Sequence, residues 1–321
     1  MRVRRFVLPN TAINLWMRIK CVLSYIYAYL PIGYLLVCLH SMLKTKKTYK
    51  YEASLCLIFR DEAPYLKEWI EYHSLIGIDH FYLYNNNSTD NFAEVLEPYV
   101  RDGKVTLLDW PQNYSQVEAY RHCYNINKAE THWLGFIDTD EFLNLSVKAG
   151  NNLKEFFGKY NAYPSLFLFW RMFGTSGIMT ENTSALVTER YTSCWPYLSN
   201  HGKSFINNDY AFKTINLHWH IATFLGLPLY GVAVNKMFCP YMEVLPPFCW
   251  ISPVAYINHY WSKSRANAIY KSYVRSDACA KELEVIRKKN GLDFFELQCS
   301  NKDFSIQRWL VNLKEAMSVD K

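Results

Sequence analysis

The strongest constraint on the fold is an alternation of short apolar runs with helical segments between residues 53 and 143. The apolar runs lie at residues 55–59, 81–84, 105–110 and 133–137. The segments between them have helical spacing and lie at residues 64–75, 91–101 and 116–128. Runs of this length and composition are typical of buried strands. We therefore predict an α/β fold, with a mostly parallel sheet, right-handed crossovers and flanking helices.

The fourth apolar run ends in three carboxylates, Asp138, Asp140 and Glu141. Ligands of open α/β sheets bind outside the carboxyl ends of the strands. Two aspartates one residue apart can both offer oxygens to one hard divalent cation, Mn²⁺ or Mg²⁺, which also takes oxygens from a diphosphate. An isolated Asp-X-Asp is more often a solvated strand end, so the surrounding motifs must decide.

Polar residues also follow the first two runs, at residues 60–62 and 85–90. In a strand–helix–strand unit the carboxyl ends of both strands lie on the same side of the sheet, so these two polar strand exits lie close together. Such an arrangement commonly binds a nucleotide. No GxGxxG or GxxxxGK[ST] motif is present. A bound diphosphate therefore needs another counter-charge. A metal ion on Asp138 and Asp140 would supply it.

The first 50 residues differ in composition from the rest of the chain. They carry nine Lys or Arg and no acid, and residues 21–43 have no formal charge. Such a segment is long enough to span a bilayer, but Pro31, Gly33 and His40 interrupt its apolar character. We predict a membrane-associating segment at residues 1–50, either spanning or lying in the membrane plane. A buried core helix is the alternative.

The rest of the chain is close to neutral, so no basic stripe suggests a nucleic-acid partner. Nine scattered cysteines without a CxxC pair favour free thiols in a reducing compartment. Sequons stand at Asn87, Asn113, Asn144 and Asn182, and two of them fall beside the predicted site, where a glycan would obstruct it. A cytoplasmic location, as at a bacterial inner membrane, is therefore favoured over a Golgi-type lumenal one. We predict a catalytic domain at residues 51–262 and a helical extension at 263–321, with helices at 265–290 and 303–317 packed on the sheet.

Several long motifs resemble those of glycosyltransferase family 92 and related bacterial enzymes. They are, in order, LCLIFRDEAPYLKEWIEYHSLIGIDHFYLYNNNSTDN, QVEAYRHCYN, WLGFIDTDEFL, FWRMFGTSG and INHYWSKS. The resemblance covers roughly residues 53 to 273. It implies a GT-A fold, a UDP-sugar donor that is often UDP-galactose, and a metal-dependent inverting transfer.

The resemblance also implies roles for individual residues. The residues matching the donor site are Arg60, Glu62, Asn87, Asp90, Gln116, Tyr120 and Lys203. The metal would be held by Asp138, Asp140 and a late histidine, which is His218 in the segment GKSFINNDYAFKTINLHWH. His220 and His259 compete with His218, and a lone histidine is more often structural.

An inverting transfer needs a general base and an acceptor site. The candidates for the base are Asp209 and Glu189, although each is more typical of a surface acid. The candidates on the acceptor side are Trp170, Phe173, Gly174 and His259, with packing around a turn as their alternative role. The acceptor is predicted to be a glycan or glycolipid, such as a surface polysaccharide or lipopolysaccharide.

Two other function classes fit parts of the sequence. A phosphohydrolase of the haloacid dehalogenase type also uses Asp-X-Asp after a buried strand, but Phe142 stands where it needs a small residue. A non-catalytic, membrane-associated sugar-binding protein would keep the fold without the acids. The intact acids favour the glycosyltransferase.

Overall fold

The computed structural model describes residues 3–4, 15–29, 31–45, 47–240, 254–273 and 292–318. These residues form an α/β fold around an eight-stranded mixed sheet. The strands are β1 (Val3–Arg4), β2 (Tyr51–Phe59), β3 (His80–Asn85), β4 (Val105–Asp109), β5 (Thr131–Phe136), β6 (Glu141–Leu145), β7 (Ser165–Met172), β8 (Ser193–Cys194), β9 (Leu198–Ser199), β10 (Gly202–Asn207), β11 (Ala211–Ile215), β12 (His220–Phe224), β13 (Leu227–Tyr230), β14 (Ala255–His259) and β15 (Asn301–Lys302).

Helices cover the large sheet. The α-helices are α1 (Leu15–Tyr29), α2 (Pro31–Leu43), α3 (Ala63–Leu75), α4 (Phe92–Arg101), α5 (Gln116–Asn127), α6 (Leu153–Gly158), α7 (Val187–Arg190), α8 (Arg265–Tyr273), α9 (Leu292–Leu297) and α10 (Leu310–Ser318). Two 3₁₀ turns lie at Val147–Ala149 and Ser305–Trp309.

The first half of the large sheet follows the predicted alternation. Strands β4, β3, β2 and β5 are parallel neighbours, and helices α3, α4 and α5 connect them. The last residues of β2, β3 and β4, which are Phe59, Asn85 and Asp109, pair with one another across the sheet. The polar exits therefore meet at one edge, as predicted.

The second half of the sheet is mixed, which corrects the expectation of a mostly parallel sheet. The full strand order is β4-β3-β2-β5-β10-β7-β14-β6, and β10 is antiparallel to both of its neighbours. Strand β6 is antiparallel to β14 at the far edge. Only residues 137–140 separate β5 from β6, and a parallel crossover needs a dozen or more residues. The chain therefore turns sharply at the two aspartates and leaves the first half of the sheet.

Gly135 allows β5 to pack closely between its neighbours β10 and β2. A Cβ atom at this position would lie 2.1 Å from the ring of Phe205 on β10 and 2.9 Å from a methyl group of Leu55 on β2. Any larger side chain would therefore force the neighbouring strands apart. The close packing fixes β5, the strand that precedes the Asp-X-Asp turn.

The segment predicted to associate with a membrane contains two helices, α1 and α2. No single helix within the described ranges has the length and apolarity to cross a membrane. Taken together, α1 and α2 have the length and composition for a span, but a bend of 55° separates them. Both helices contact the rest of the protein. The Tyr29 hydroxyl of α1 donates to the Phe238 carbonyl, and the His40 ring of α2 stacks on the ring of Tyr210.

The C-terminal residues also contact the sheet region. Helix α8 ends at Tyr273, and the remainder of the helix predicted over 265–290, including Leu283 and Ile286, lies outside the described residues. Strand β15 pairs with β8, and Lys67 on α3 donates to the Met317 carbonyl of α10. The C-terminal residues thus pack against α3 and β8.

Candidate active site

A tryptophan on α3 holds the turn that follows β5. The indole Nε1 of Trp69 donates to the carbonyls of both Asp138 and Glu141, each at 3.1 Å. Trp69 itself is fully buried. The backbone of the Asp-X-Asp turn is therefore fixed from the core side.

Three donors hold the carboxylate of Asp138. Oδ1 accepts from Gln116 Nε2 at 2.9 Å and from the Tyr120 hydroxyl at 3.2 Å. Oδ2 lies 3.0 Å from Lys203 Nζ. Gln116 and Tyr120 stand one turn apart on α5, and Lys203 comes from β10, so neighbouring elements converge on one acid. The structure therefore brings these three predicted donor-site residues together at Asp138.

The carboxylate of Asp140 is buried and contacts two basic side chains. Its Oδ2 lies 2.6 Å from Lys271 Nζ on α8, and its Oδ1 lies 3.5 Å from His259 Nε2. Burial acts to raise the pKa of Asp140, but Lys271 and His259 outweigh it and bring that pKa well below its usual range. Asp140 is therefore ionised at neutral pH.

Glu141 is the third acid of the turn and is fully buried. Burial and the charges of Asp138 and Asp140 raise its pKa well above the usual range, although Lys203 opposes them. Lys203 Nζ lies 3.8 Å from Oε1, and that oxygen has no hydrogen-bond partner among the described residues. The neutral acid is therefore the favoured form of Glu141.

A second buried ion pair adjoins the aspartates. Lys263 Nζ lies 3.2 Å from Glu62 Oε2 and 3.1 Å from the centre of the Tyr65 ring. Together with the acids of the turn and their lysine partners, this pair forms what we call the charged cluster. The cluster consists of Glu62, Asp138, Asp140, Glu141, Lys203, Lys263 and Lys271. Sequence reasoning missed Lys263 and Lys271. Lys263 lies within the INHYWSKS motif, whereas no motif marked Lys271.

The two candidate histidines have different surroundings. His259 approaches Asp140, as described above, and its buried Nδ1 has no hydrogen-bond partner among the described residues. His218 bonds through Nδ1 to the Gly202 carbonyl at 2.9 Å. Both rings pack against Trp170, at centroid distances of 4.4 Å for His259 and 5.2 Å for His218. The geometry favours His259 over His218 as the partner of the aspartates.

The donor set suits a hard divalent cation only in part. Asp138 and Asp140 supply the carboxylate oxygens that such an ion prefers. The described residues contain no group of three or more His, Cys, Asp or Glu side chains placed to hold a metal. The predicted trio of Asp138, Asp140 and His218 is therefore not assembled. The two aspartates fit an ion that takes its other ligands from a diphosphate and water.

The remaining donor-side residues shape the loops at the strand exits. Arg60 donates to the backbone and side-chain oxygens of Asn86, and Asn87 donates to the Pro111 carbonyl. Asp90 accepts from the backbone N–H of Ala63 and so caps the start of α3. These contacts order the edge of the sheet, and Asp90 has a structural role.

The two predicted bases lie away from the charged cluster. Asp209 follows β10, whose last residue, Asn207, pairs with Trp133 near the start of β5. Trp133 and Asp138 are five positions apart, which is about 17 Å in extended chain, and Asp209 therefore lies toward the opposite end of the strands from Asp138. There it pairs with Lys44. The expectation that Asp209 acts as base is therefore wrong.

Glu189 contacts the C-terminal extension and no residue of the charged cluster among the contacts of the described residues. It belongs to the short helix α7, and its carboxylate lies 2.6 Å from Lys314 on α10, with both side chains substantially exposed. Such a surface pair contributes little to stability. Glu189 is thus a surface acid that meets the C-terminal extension, and it is no better placed as a base.

The acceptor-side residues do not form an open surface. Phe173 is fully buried against Tyr260, and a Cβ atom at Gly174 would meet Cys299 and Glu296 of the C-terminal extension within 3 Å. Trp170 is partly exposed, but its ring stacks on His201. Packing, the alternative weighed for these residues, describes Phe173 and Gly174 correctly. Acceptor contact by Trp170 stays a prediction.

Comparison with known families gives one clear match. The sequence model described as glycosyltransferase family 92 matches residues 50–243, more than half of the chain. The matched region contains Asp138, Asp140, Lys203 and His218. It ends before His259 and Lys271.

Several curated proteins are similar to parts of the chain. Glycosyltransferase family 92 protein RCOM_0530710 from Ricinus communis is 33% identical over 153 residues, covering 44% of this chain and 26% of the relative. Glycosyltransferase family 92 protein Os08g0121900 from Oryza sativa subsp. japonica is 35% identical over 142 residues, covering 43% and 24%. Galactan beta-1,4-galactosyltransferase GALS3 from Arabidopsis thaliana is 32% identical over 118 residues, covering 32% and 23%. The chain thus spans between 23% and 32% of the length of these curated relatives.

Solved structures give weaker similarities. S. aureus TarS 1-349 has a TM-score of 0.34 and 13% identity, covering 49% of this chain and 47% of that chain. Glucosyl-3-phosphoglycerate synthase from Mycobacterium tuberculosis has a TM-score of 0.26 and 15% identity, covering 38% and 44%. Similarities at this level support no conclusion about function.

Proposed function

Because the chain belongs to glycosyltransferase family 92, we propose that it transfers a sugar from a UDP-sugar to a glycan or glycolipid acceptor by metal-dependent chemistry of the GT-A type. The observation that supports this function is the position of Asp138 and Asp140. They lie at the carboxyl edge of the parallel strands, where α/β sheets bind ligands. Galactose is one candidate sugar, because a galactosyltransferase is among the relatives.

The balance of charge supports entry of a cation together with the donor. With Glu141 in its neutral form, the charged cluster has three carboxylates, on Glu62, Asp138 and Asp140, against three lysines. A nucleotide diphosphate would add negative charge to this nearly balanced site, and buried charge without a partner is costly. A divalent cation restores the balance.

Each residue around the aspartates then has a definite task. Gln116, Tyr120 and Lys203 fix the orientation of the Asp138 carboxylate, and His259 approaches that of Asp140. Side chains held in this way lose no freedom when the donor binds. A divalent cation, when bound, stabilises the charge that builds on the leaving diphosphate. Inversion at the sugar carbon stays a prediction, since neither Asp209 nor Glu189 lies at the site.

Uridine is the expected base of the donor, and a donor panel tests it. The polar exits at Arg60 and at residues 85–90 form one ordered edge beside the aspartates, which suits a nucleotide. Detergent-solubilised protein, supplied with UDP-, GDP- and CMP-sugars and Mn²⁺, should turn over or hydrolyse UDP-sugars at least about tenfold faster than the others, since base-specific hydrogen bonds discriminate strongly. A preference for GDP or CMP donors would contradict the proposal.

We also propose that α1 and α2 associate the enzyme with a membrane. Their large apolar side chains include several that are exposed, namely Val22, Leu23, Ile26, Leu35, Met42 and Leu43. The basic residues of the segment would add attraction to anionic lipids. Both helices also contact the catalytic domain, so substitution is a sharper test than deletion.

The triple variant Leu23→Ser, Ile26→Ser and Leu35→Ser should bind anionic vesicles at least about tenfold more weakly, since each leucine or isoleucine contributes roughly 1.5–3 kcal/mol on burial. Vesicle sedimentation measures this. The control variant combines Val147→Ser, Leu297→Ser and Val311→Ser, which alter exposed side chains outside α1 and α2. Equal binding by the two variants would show that α1 and α2 do not anchor the protein.

A further inference from the structure

Lys271 differs from the other lysines of the charged cluster in how it is held. Its ammonium contacts Asp140 Oδ2 at 2.6 Å and the Trp261 carbonyl at 3.3 Å. Lys203 lies between Asp138 and Glu141 and near the ring of Tyr120, whereas Lys263 has both Glu62 and Tyr65. Within the described residues, Lys271 thus has one carboxylate partner, and that partner is one of the two aspartates proposed to receive a cation.

An ammonium and a divalent cation compete for the same oxygen. Oδ2 of Asp140 is in contact with Lys271, and Oδ1 faces His259 at 3.5 Å. A cation that approaches Asp140 therefore meets a site already neutralised by Lys271. Two positive charges within a few ångströms repel strongly in a buried environment. A cation held by Asp140 would therefore favour withdrawal of Lys271 from Oδ2.

The withdrawn ammonium has a new partner close by. Lysine carries its charge on a flexible four-carbon stem, so Nζ can move several ångströms while the backbone of α8 stays in place. Any diphosphate that shares a cation with Asp140 lies within that reach, and it needs further positive charge because the chain has no glycine-rich phosphate loop.

From these contacts, and on the basis of the proposed function, we infer that Lys271 exchanges partners during the catalytic cycle. It neutralises Asp140 in the free enzyme and binds the donor diphosphate once a divalent cation has taken its place. Lys271 is then a donor-binding residue that α8 supplies from beyond the family match. It also keeps the empty site from holding a cation tightly before the donor arrives.

The exchange predicts opposite changes in two affinities, which a purely structural lysine would not produce. Lys271→Met should bind Mn²⁺ alone more tightly, by about tenfold, because the competing charge is gone. The same variant should show a KM for the UDP-sugar raised by about tenfold, since one charged contact to the diphosphate is lost. Free Mn²⁺ measured by electron paramagnetic resonance gives the first value without any turnover. Steady-state kinetics gives the second.

Two further variants sharpen the test. Lys271→Arg keeps the charge, so its Mn²⁺ affinity should stay near that of the wild type. Lys314→Met removes an equal charge from the outer surface, where Lys314 pairs with Glu189, and should change neither affinity. Circular dichroism checks that each variant is folded.

The outcomes separate this inference from the proposed function. Unchanged or weaker Mn²⁺ binding by folded Lys271→Met would overturn the exchange, even if UDP-sugar turnover by the wild type is normal. Absence of UDP-sugar turnover by the wild type would overturn the proposed function, whatever Mn²⁺ binding shows. Tighter Mn²⁺ binding with a raised donor KM supports both.

Discussion

Asp138→Asn and Asp140→Asn should each lower turnover of the UDP-sugar by about 10²- to 10³-fold, the scale seen when one preorganised electrostatic contact to a transition state is removed. Asparagine keeps the shape of aspartate but loses its charge. The Asp138→Asn side chain can still accept hydrogen bonds from Gln116 and Tyr120. Asp140→Asn leaves Lys271 without its carboxylate partner. Because charge builds on the diphosphate as the sugar bond breaks, the loss should fall mainly on kcat.

The measurement is turnover during an Mn²⁺ titration of the wild type and both variants. Asp102→Asn is the matched control, because Asp102 is an exposed carboxylate between α4 and β4, at the amino end of the parallel strands. Its turnover should equal that of the wild type. Thermal unfolding by circular dichroism separates loss of chemistry from loss of fold. Normal turnover in both site variants, or full activity in excess chelator, would remove the aspartates from the mechanism.

The first half of the fold could be predicted because its signals are local. Strands β2, β3 and β5 are buried apolar runs, the edge strand β4 is partly exposed, and each has the length of a strand. Pro64 lies in the first turn of α3, and Gly77, with φ at +109°, follows its end. Parallel strands joined by helices bring their polar exits to one edge, so the location of Asp138 followed from the pattern.

The general-base candidates failed because strand direction is not a local property. Asp209 follows a buried strand, as Asp138 does. Strand β10 runs antiparallel to β5, however, so its carboxyl end lies at the opposite edge of the sheet. Pairing sets that direction, and no spacing within residues 202–209 encodes it.

Two lysines of the charged cluster, Lys263 and Lys271, were missed for a related reason. Lys263 and Lys271 come from the chain after β14 and contact acids that precede them by 201 and 131 residues. Lysine is also common on helix surfaces, so its presence on α8 carried no signal for burial. The family match covers Lys203 but stops before both of these residues. Only the fold places them against the acids.

Stability should fall steeply as the pH drops below about 6.5, with His73 as one identifiable cause. His73 is fully buried on α3, and both of its ring nitrogens have partners. Nδ1 bonds to the Trp69 carbonyl at 2.8 Å, and Nε2 accepts from the backbone N–H of Leu143 at 3.3 Å. This arrangement requires the neutral ring, because a proton on Nε2 would face the N–H of Leu143.

Burial lowers the pKa of His73 from 6.5 to about 3. Below pH 6.5, His73 is therefore protonated in the unfolded chain and stays neutral in the folded protein. The stability that the neutral ring provides is complete above pH 6.5 and is lost as the pH falls toward 3. The expected loss is about 1.4 kcal/mol per pH unit for this group. Leu143 lies on β6, which begins with Glu141, so protonation loosens the element that carries the buried acid of the site.

Urea unfolding between pH 6.5 and 4.5 measures this loss. His73→Asn can keep the bond to Trp69 but cannot take up a proton, so its free energy of unfolding should depend less on pH, by about 1.4 kcal/mol per unit, even though the smaller side chain costs stability at pH 7. Ser74→Ala changes the next residue of α3 without altering a titratable group, and its pH dependence should match the wild type. If the pH dependence of His73→Asn also matches that of the wild type, the neutral ring of His73 does not contribute to the loss of stability at low pH.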